Sequence, residues 1–313
     1  MNGNILIIGS TNTDMVIKTK KFPIPGETIL GGQFLMNPGG KGANQAVAAA
    51  RLGGRITFIG KVGNDVFGIQ AKHTLQSEGI NTDYVYDDET LPSGVALITV
   101  DGEGENTIVV AAGANASLDS KDIDKSIKAF TNADLVVLQL EIPLATVEYV
   151  CQLAYEQGKR VLLNPAPAQI LSDELFQKIF VLTPNNSEAE LLTGIRVVDE
   201  PSAYAAALKI KNRGVKNVIL TLGAAGAYLL SDTYSGMIAS PKVLPIDTTA
   251  AGDVFVGGLA VALSEGETLV HAVSFANHAA ALSVTKMGAQ ISAPFRKELM
   301  LEKQILPETL INR

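Results

Sequence analysis

Short apolar runs rich in β-branched residues alternate with amphipathic stretches along most of the 313-residue chain. The runs at 5–9, 56–60, 135–140, 161–164, 180–183 and 218–222 have the length and composition of buried strands. Between them, apolar positions recur at helical spacing over 43–52, 69–78, 123–130, 145–157, 188–193 and 203–212. Residues 252–285 are Ala-rich and almost entirely of helical character. This alternation predicts an α/β fold, with helices packed on both faces of a mostly parallel central sheet.

Two segments break the rhythm. Residues 15–37 are dotted with Lys and Gly and strand-like, and 95–111 read as a hairpin whose strands, 95–100 and 107–111, flank the loop Asp101-Gly102-Glu103-Gly104-Glu105-Asn106. Two strand-like insertions predict a small separate sheet, formed by about 14–38 and about 93–112. Ligands of open α/β sheets sit at the carboxyl ends of the strands, so this sheet is expected to be a lid over that edge. Its exposed edges and half-apolar face would favour pairing with a second subunit.

Composition narrows the partners. With 47% hydrophobic and 18% charged residues and a net charge of -7, the chain has no Lys/Arg run, which argues against nucleic acid or an anionic membrane. An anionic ligand would have to be held by backbone groups and metal ions. Met1-Asn2-Gly3-Asn4 leads directly into Ile5-Leu6-Ile7-Ile8 without a basic region, so no signal peptide is expected. No apolar run approaches the ~20 residues of a membrane span. The single cysteine, Cys151, excludes an internal disulfide and suits a reducing cytoplasm.

The chemistry concentrates at strand ends and helix starts. Asp247-Thr248-Thr249-Ala250-Ala251-Gly252-Asp253 precedes the apolar helical run 254–263. A helix start leaves N–H groups unpaired and carries the positive end of the macrodipole, so it favours an anion there. Asp253 is then either a helix cap or a base beside that anion. Gly39-Gly40-Lys41-Gly42-Ala43-Asn44-Gln45 has neither Walker nor Rossmann spacing. It is either a turn that lets backbone approach a ligand, with Asn44 reaching hydroxyls, or only a tight entry into a helix. Asn12 and Asp14, after the first strand, suit vicinal hydroxyls or form an Asx-turn. Glu141 and Asn164 close the next two strands. Asn185 and Glu188, three residues apart at a helix start, suit the water shell of a Mg²⁺ ion near phosphates, or a capping box. Thr221-Leu222-Gly223-Ala224-Ala225-Gly226 offers a hydroxyl and two glycines after another strand, or a plain turn. His73, His271 and His278 have no metal-ligand spacing and no nucleophile nearby in sequence.

Taken together, these motifs resemble the ribokinase, or PfkB, carbohydrate kinase family over nearly the whole chain, from Gly9-Ser10-Thr11-Asn12-Thr13-Asp14 to Lys286-Met287-Gly288-Ala289-Gln290. Both the N-terminal glycine motif and the 247–253 motif are present. The resemblance implies a single ribokinase-like three-layer α/β/α domain spanning 1–313, with a β-sheet lid, and ATP-dependent phosphorylation of a sugar primary hydroxyl, with D-ribose O5 as the expected acceptor. It makes Asp253 the catalytic base and Ala250, Ala251 and Gly252 an anion hole. It assigns Asn12, Asp14, Gly40, Lys41, Gly42, Ala43, Asn44 and Glu141 to the sugar. Asn185, Thr221, Gly223, Ala224, Ala225, Gly226 and Asn277 go to the nucleotide, with Gly252 beside its phosphates and Glu188 linked to Mg²⁺ and phosphate. It implies activation by K⁺ near Asp247, Thr249, Ser283, Lys286, Gly288 and Ser292, Lys286 through its carbonyl alone. It also implies a homodimer through the lid. The alternatives are a kinase for 2-deoxyribose or a nucleoside, and a sugar or nucleotide sensor that has kept the fold without catalysis.

Overall fold

The computed structural model describes residues 3–30 and 32–305, with side chains to 300; Met1, Asn2 and Gly31 lie outside the described residues. Its strands are β1 (Asn4–Ile8), β2 (Asn12–Lys18), β3 (Gln33–Gly39), β4 (Arg55–Gly63), β5 (Asn81–Asp88), β6 (Gly94–Val100), β7 (Asn106–Ala111), β8 (Leu135–Leu138), β9 (Arg160–Leu163), β10 (Val181–Leu182), β11 (Asn217–Thr221), β12 (Ala227–Leu230) and β13 (Ser235–Ile238). Its helices are α1 (Lys41–Arg51), α2 (Val66–Ser77), α3 (Ser120–Lys125), α4 (Ile127–Asn132), α5 (Leu144–Glu156), α6 (Asp173–Phe176), α7 (Asn186–Thr193), α8 (Glu200–Lys211), α9 (Ala251–Ser264), α10 (Leu269–Ser283) and α11 (Arg296–Ile305). None of them is long and apolar enough to cross a membrane.

Nine strands form the main sheet in the order β13-β12-β11-β10-β9-β8-β1-β4-β5. All pairings from β5 to β11 are parallel, and β12 and β13 add an antiparallel edge. Successive residues of β1 feed opposite faces, as the two-residue strand period demands. Ile5 and Ile7 pack with α1, α2, α9 and α10, whereas Leu6 and Ile8 pack with α5, α7 and α8. The result is a three-layer sandwich with one core on each side of the sheet. β1 is flanked by β8 and β4, so the chain's outward paths diverge there, which is where open α/β sheets form their ligand crevice.

α9 is apolar all round and correspondingly buried, from Asp253 to Leu263. It packs between α1 and α10. Its approach to α1 depends on Gly257: a Cβ there would lie 2.8 Å from the Ala48 Cβ and 2.9 Å from the Gln45 carbonyl oxygen. The first turns of α1 and α9 are thereby held side by side.

The second sheet has the order β3-β2-β6-β7 and leaves the main sheet directly after β1. Asn12 begins it, opposite Gly39 on one side and Gly94 on the other. The register puts Met15, Met36, Leu97 and Val109 in one cross-strand row, with Ile17 and Phe34 on the same face two residues along. Most of these are exposed, Val109 at 68% and Phe34 at 59%. Asp14 lies on the opposite face.

Three features depart from the sequence expectations. The predicted helix over 123–130 is two helices meeting at Ser126, whose hydroxyl donates to the Asp122 carbonyl and turns the chain. The strand predicted over 135–140 stops at Leu138, so Gln139, Leu140 and Glu141 form a turn at the sheet edge. β5, β12 and β13 lack a strong periodic signal and owe their strand state to pairing.

Gly40 is at the N-terminus of α1 with φ 86°, and a Cβ there would meet Asn12 N and Thr11 Cα at 2.7 Å. Gly158 also has positive φ, 65°, but nothing lies within 4 Å of its would-be Cβ. Gly40→Ala is expected to cost about 2–3 kcal/mol, and Gly158→Ala about 1 kcal/mol, in urea denaturation; equal costs would show that the backbone approach at Gly40 is not constrained.

Candidate active site

The site grows from the first turns of α1 and α9. Ala250 caps α9 in the left-handed region, φ 59°, the one non-glycine residue with positive φ among the described residues. That turn swings the chain so that the N–H groups of Ala250, Gly252 and Asp253 have no partner among the described residues, while Ala251 donates to the Thr248 carbonyl. A Cβ at Gly252 would meet nothing within 4 Å, so the glycine opens the backbone toward free space. Together these form an anion-binding cradle at the positive end of a 14-residue helix.

Asp253 is in the first turn but caps nothing. Its side chain is 6% exposed, and each carboxylate oxygen accepts from a different amide: Oδ2 from Asn44 Nδ2 and Oδ1 from Gln45 Nε2, both at 3.0 Å. Burial pushes its pKa up, and Lys41 together with the two amide donors opposes that push. The cap reading of this residue therefore falls, and a buried, amide-gripped carboxylate beside an anion cradle takes its place.

Charged groups from four other elements surround it. Burial, with Glu141 and Asp253 adding repulsion, raises the Asp14 carboxyl to about 6. Lys41 makes no ion pair within 4 Å among the described residues, but its pKa is raised, first by Asp253 and against the effect of burial. Glu188 is raised by burial. Glu141 Oε2 accepts from Ser10 Oγ at 2.6 Å and from Lys41 N at 3.0 Å, which ties the β8 turn to the start of α1. Asn12 Oδ1 accepts from Asn115 Nδ2, leaving its own amide hydrogens for other acceptors. Asn44 Oδ1 is buried without a partner, an acceptor awaiting a donor. Gly42 and Ala43 are buried in the helix start, where Ala43 N donates to the Ser10 carbonyl, so they shape the turn rather than face a ligand.

A cavity of about 640 Å³ opens on the other side of the anion cradle. Asn185, Thr221, Gly223, Ala224, Gly226, Asn277 and Gly252 line it, with Pro241, Val243, Pro245, Phe255 and Val284 supplying much of the apolar wall. Ala225 does not line it. Gly223 has φ 58° and faces open space, whereas Gly226 is a packing position whose Cβ would strike the Ile238 carbonyl at 2.2 Å. Asn277 Nδ2 donates to the Ile238 carbonyl and so braces this wall. A smaller cavity of about 220 Å³ joins Lys41, Asn164, Glu188 and Asp253 to the residues shared with the larger one: Asn185, Thr221, Thr248, Ala251 and Gly252. Asn185 and Glu188 do form a capping box. The capping atoms leave the pair at the cavity wall, so the structural and functional readings coexist.

Asp247 Oδ1 accepts from Thr249 N and Oδ2 from Gly288 N, drawing two loops together beside the cradle. Burial alone would raise its pKa; these hydrogen bonds win and lower it, so the carboxylate is charged. Lys286 turns its ammonium away to Glu298 at 2.6 Å. Ser283 and Ser292 hydroxyls bond to the Ala280 and Ala289 carbonyls. Among these residues Asp247 supplies the only carboxylate, and its oxygens are held by the backbone of both loops. No group of three or more His, Cys, Asp or Glu side chains among the described residues forms a metal cluster.

Sequence reasoning missed Ser10, Gln45, Asn115 and Gln139. All four are buried polar residues. Asn115 is fixed by two bonds to the Thr11 backbone, and the neighbouring Gly94 leaves room for its bond to Asn12. Their only sequence signal is a polar residue within an apolar or small-residue run, as in Gln45 before 46–50.

The raised Asp14 carboxyl gives two linked expectations. An ionised carboxylate accepts from hydroxyls more strongly than a neutral carboxyl, so if Asp14 faces a polyol its calorimetric affinity should rise with pH through about 6 and flatten in Asp14→Asn. Because the folded pKa exceeds the ordinary aspartate value of 3.8, the folded state binds more protons between 3.8 and about 6, and the Asp14 contribution to stability falls as pH rises through that window. Asp14→Asn should therefore raise the melting temperature more at pH 7 than at about pH 4; the reverse order would place the shift elsewhere.

The model of the pfkB family of carbohydrate kinases matches residues 2–296. A ribokinase of Haemophilus influenzae is 45% identical over 300 residues, 96% of this chain and 98% of that protein. A deoxyribokinase of Salmonella typhi is 38% identical over 292 residues, 93% of this chain and 95% of that protein. The structure of the Arabidopsis thaliana ribokinase complexed with ribose and ATP superposes with a TM-score of 0.90 at 32% identity, covering 96% of this chain and 98% of that one. With its two sheets, its anion cradle and its buried carboxylate, the chain belongs to the pfkB family of carbohydrate kinases.

Proposed function

We propose that this protein transfers the γ-phosphoryl group of ATP to O5 of D-ribose, giving D-ribose 5-phosphate and ADP. The observation that carries the reading is the position of Asp253, a buried carboxylate on the wall of a small polar cavity that adjoins a nucleotide-sized one, with unpaired helix N–H groups alongside. Ribokinases among the relatives support ribose as the acceptor. As O5 attacks phosphorus, its proton passes to Asp253, the new P–O bond forms, and the bond to the ADP oxygen breaks. The N–H groups of Ala250, Gly252 and Asp253 and the α9 dipole stabilise the charge on the transferring group, while the Ala251 N–H, expected to join them, is engaged by the Thr248 carbonyl. Asn12, Asp14, Asn44 and Glu141 orient the sugar, and Lys41 balances the surrounding carboxylates.

Mg²⁺ fits the wall at Asn185 and Glu188, where it would neutralise phosphate charge through its water shell. K⁺ fits the oxygen set at Asp247, Thr249, Ser283, Lys286, Gly288 and Ser292, adding positive charge behind the cradle. The small sheet acts as a lid, because Asp14 is on its inner face while its β2 strand starts at the sugar cleft. Its outer row, with Met36, Leu97 and Val109 exposed, pairs with a second copy to form a homodimer.

Asp253→Asn is expected to retain ribose and ATP binding by calorimetry and to lower turnover by ~10³-fold or more; a variant with near-native turnover removes Asp253 as the base. In a coupled assay of ATP consumption, ribose should be used at least ~100-fold more efficiently than 2-deoxyribose, because a site built around the 2-hydroxyl leaves buried polar groups unpaired without it. Fructose and a nucleoside should be poorer still, and K⁺ should raise the ribose rate. Equal efficiency on the two pentoses would move the assignment to the deoxyribokinase side of the family.

A further inference from the structure

Gln45 has no role in the sugar, nucleotide or cation sets, yet its side chain is fully buried against the reacting carboxylate. Its amide is the centre of a polar chain anchored on four elements. Gln45 Nε2 donates to Asp253 Oδ1 at 3.0 Å and to Asn164 Oδ1 at 3.2 Å, and Gln45 Oε1 accepts from Gln139 Nε2 at 2.6 Å. Asn164 in turn donates to the Thr183 carbonyl. Gln139 is also fully buried, and its Oε1 has no partner. It fits only because residue 9 is glycine, whose Cβ would lie 2.1 Å from that oxygen.

The direction of this chain is dictated at its end. An ionised carboxylate accepts and never donates, so Gln45 must present its NH₂ to Asp253, which leaves only its oxygen for Gln139. Gln139 is then committed to donating, and the unpaired Oε1 is the cost of that commitment. A buried amide pair held at such a cost, one turn from the Gly257 contact that brings α1 to α9, does more than fill space.

We infer that Gln45 is a positioning residue: oriented by Gln139, it fixes the rotamer of Asp253 and favours its ionised form, so that the second lone pair of Oδ1 or Oδ2 is aimed at the sugar hydroxyl. This inference rests on the reading of Asp253 as the base. Lys41 from α1 acts in the same sense, while Glu141 from the β8 turn, Asp14 from β2 and Glu188 from α7 oppose it.

The test compares Gln45→Met, which keeps length and removes the donor, with Gln45→Glu and Gln139→Met. In Gln45→Met, kcat should fall about 10- to 100-fold, the loss of one hydrogen bond to a charged group, with KM for ribose and ATP within about threefold. The acid limb of the kcat/KM profile should move up by about one pH unit, and further in Gln45→Glu, where two carboxylates share one site. Gln139→Met should show the same pattern at smaller size and be non-additive with Gln45→Met. Infrared difference spectra against Asp253→Asn follow the protonated carboxyl directly, without turnover, and its titration midpoint should rise in parallel. Loss of kcat with an unmoved acid limb and an unmoved infrared midpoint, or an effect confined to KM, would reduce Gln45 to a packing role. If Asp253→Asn itself retains turnover, the base reading fails; if Asp253→Asn is inactive while Gln45→Met is native-like, this inference fails alone.

Discussion

Keeping a carboxylate charged without water is the constraint on which the site depends. Asp253 is nearly sealed from solvent, and burial pushes its pKa up. The protein answers with two amide donors, a lysine and the open N-terminus of α9, rather than with a direct ion pair. An ion pair would hold the carboxylate too firmly to let it take a proton, whereas amides stabilise charge by modest amounts and leave lone pairs in place. The same logic explains why Lys41 is near but unpaired, and why Asp14 and Glu188 carry raised pKa values around it. The site is a group of carboxylates held close around one lysine.

Backbone proximity makes this arrangement possible. The parallel register brings the ends of β1, β8, β9, β10 and β11 to one edge, so Asn12, Glu141, Asn164, Asn185 and Thr221 meet although they are far apart in sequence. Glycines then remove the remaining distance. Gly39 lies against the Asp14 carboxylate, Gly42 against the Ser10 backbone and Gly257 against α1. Each is a place where a methyl group would push apart two parts of the same site.

Much of this was legible from the chain itself. The 3.6-residue and two-residue periods separate helices from strands, and strand-terminal polar residues point to a shared edge, because parallel sheets put all carboxyl ends together. The small second sheet could be read from two strand-like insertions, since alternation and the 101–106 turn are local signals. What escaped was non-local. Ser126 splits a helix through a hydroxyl that competes for the backbone, and β12 and β13 exist because β11 offers an edge. The polar chain of Gln139, Gln45 and Asn164 joins residues up to 119 positions apart, and glutamine carries no periodic signature to announce it. The capping question at Asp253 was likewise undecidable locally, because the true cap is an alanine in a conformation its sequence does not advertise.

That alanine has a further meaning. A glycine in the place of Ala250 would enter the left-handed turn freely and leave it as freely, whereas alanine occupies a narrow basin there. The peptide planes that aim the cradle N–H groups are therefore confined to a small angular range before a ligand arrives. Electrostatic stabilisation gains most when dipoles need no reorientation during the reaction. In this chain, one methyl group converts conformational strain into dipolar order.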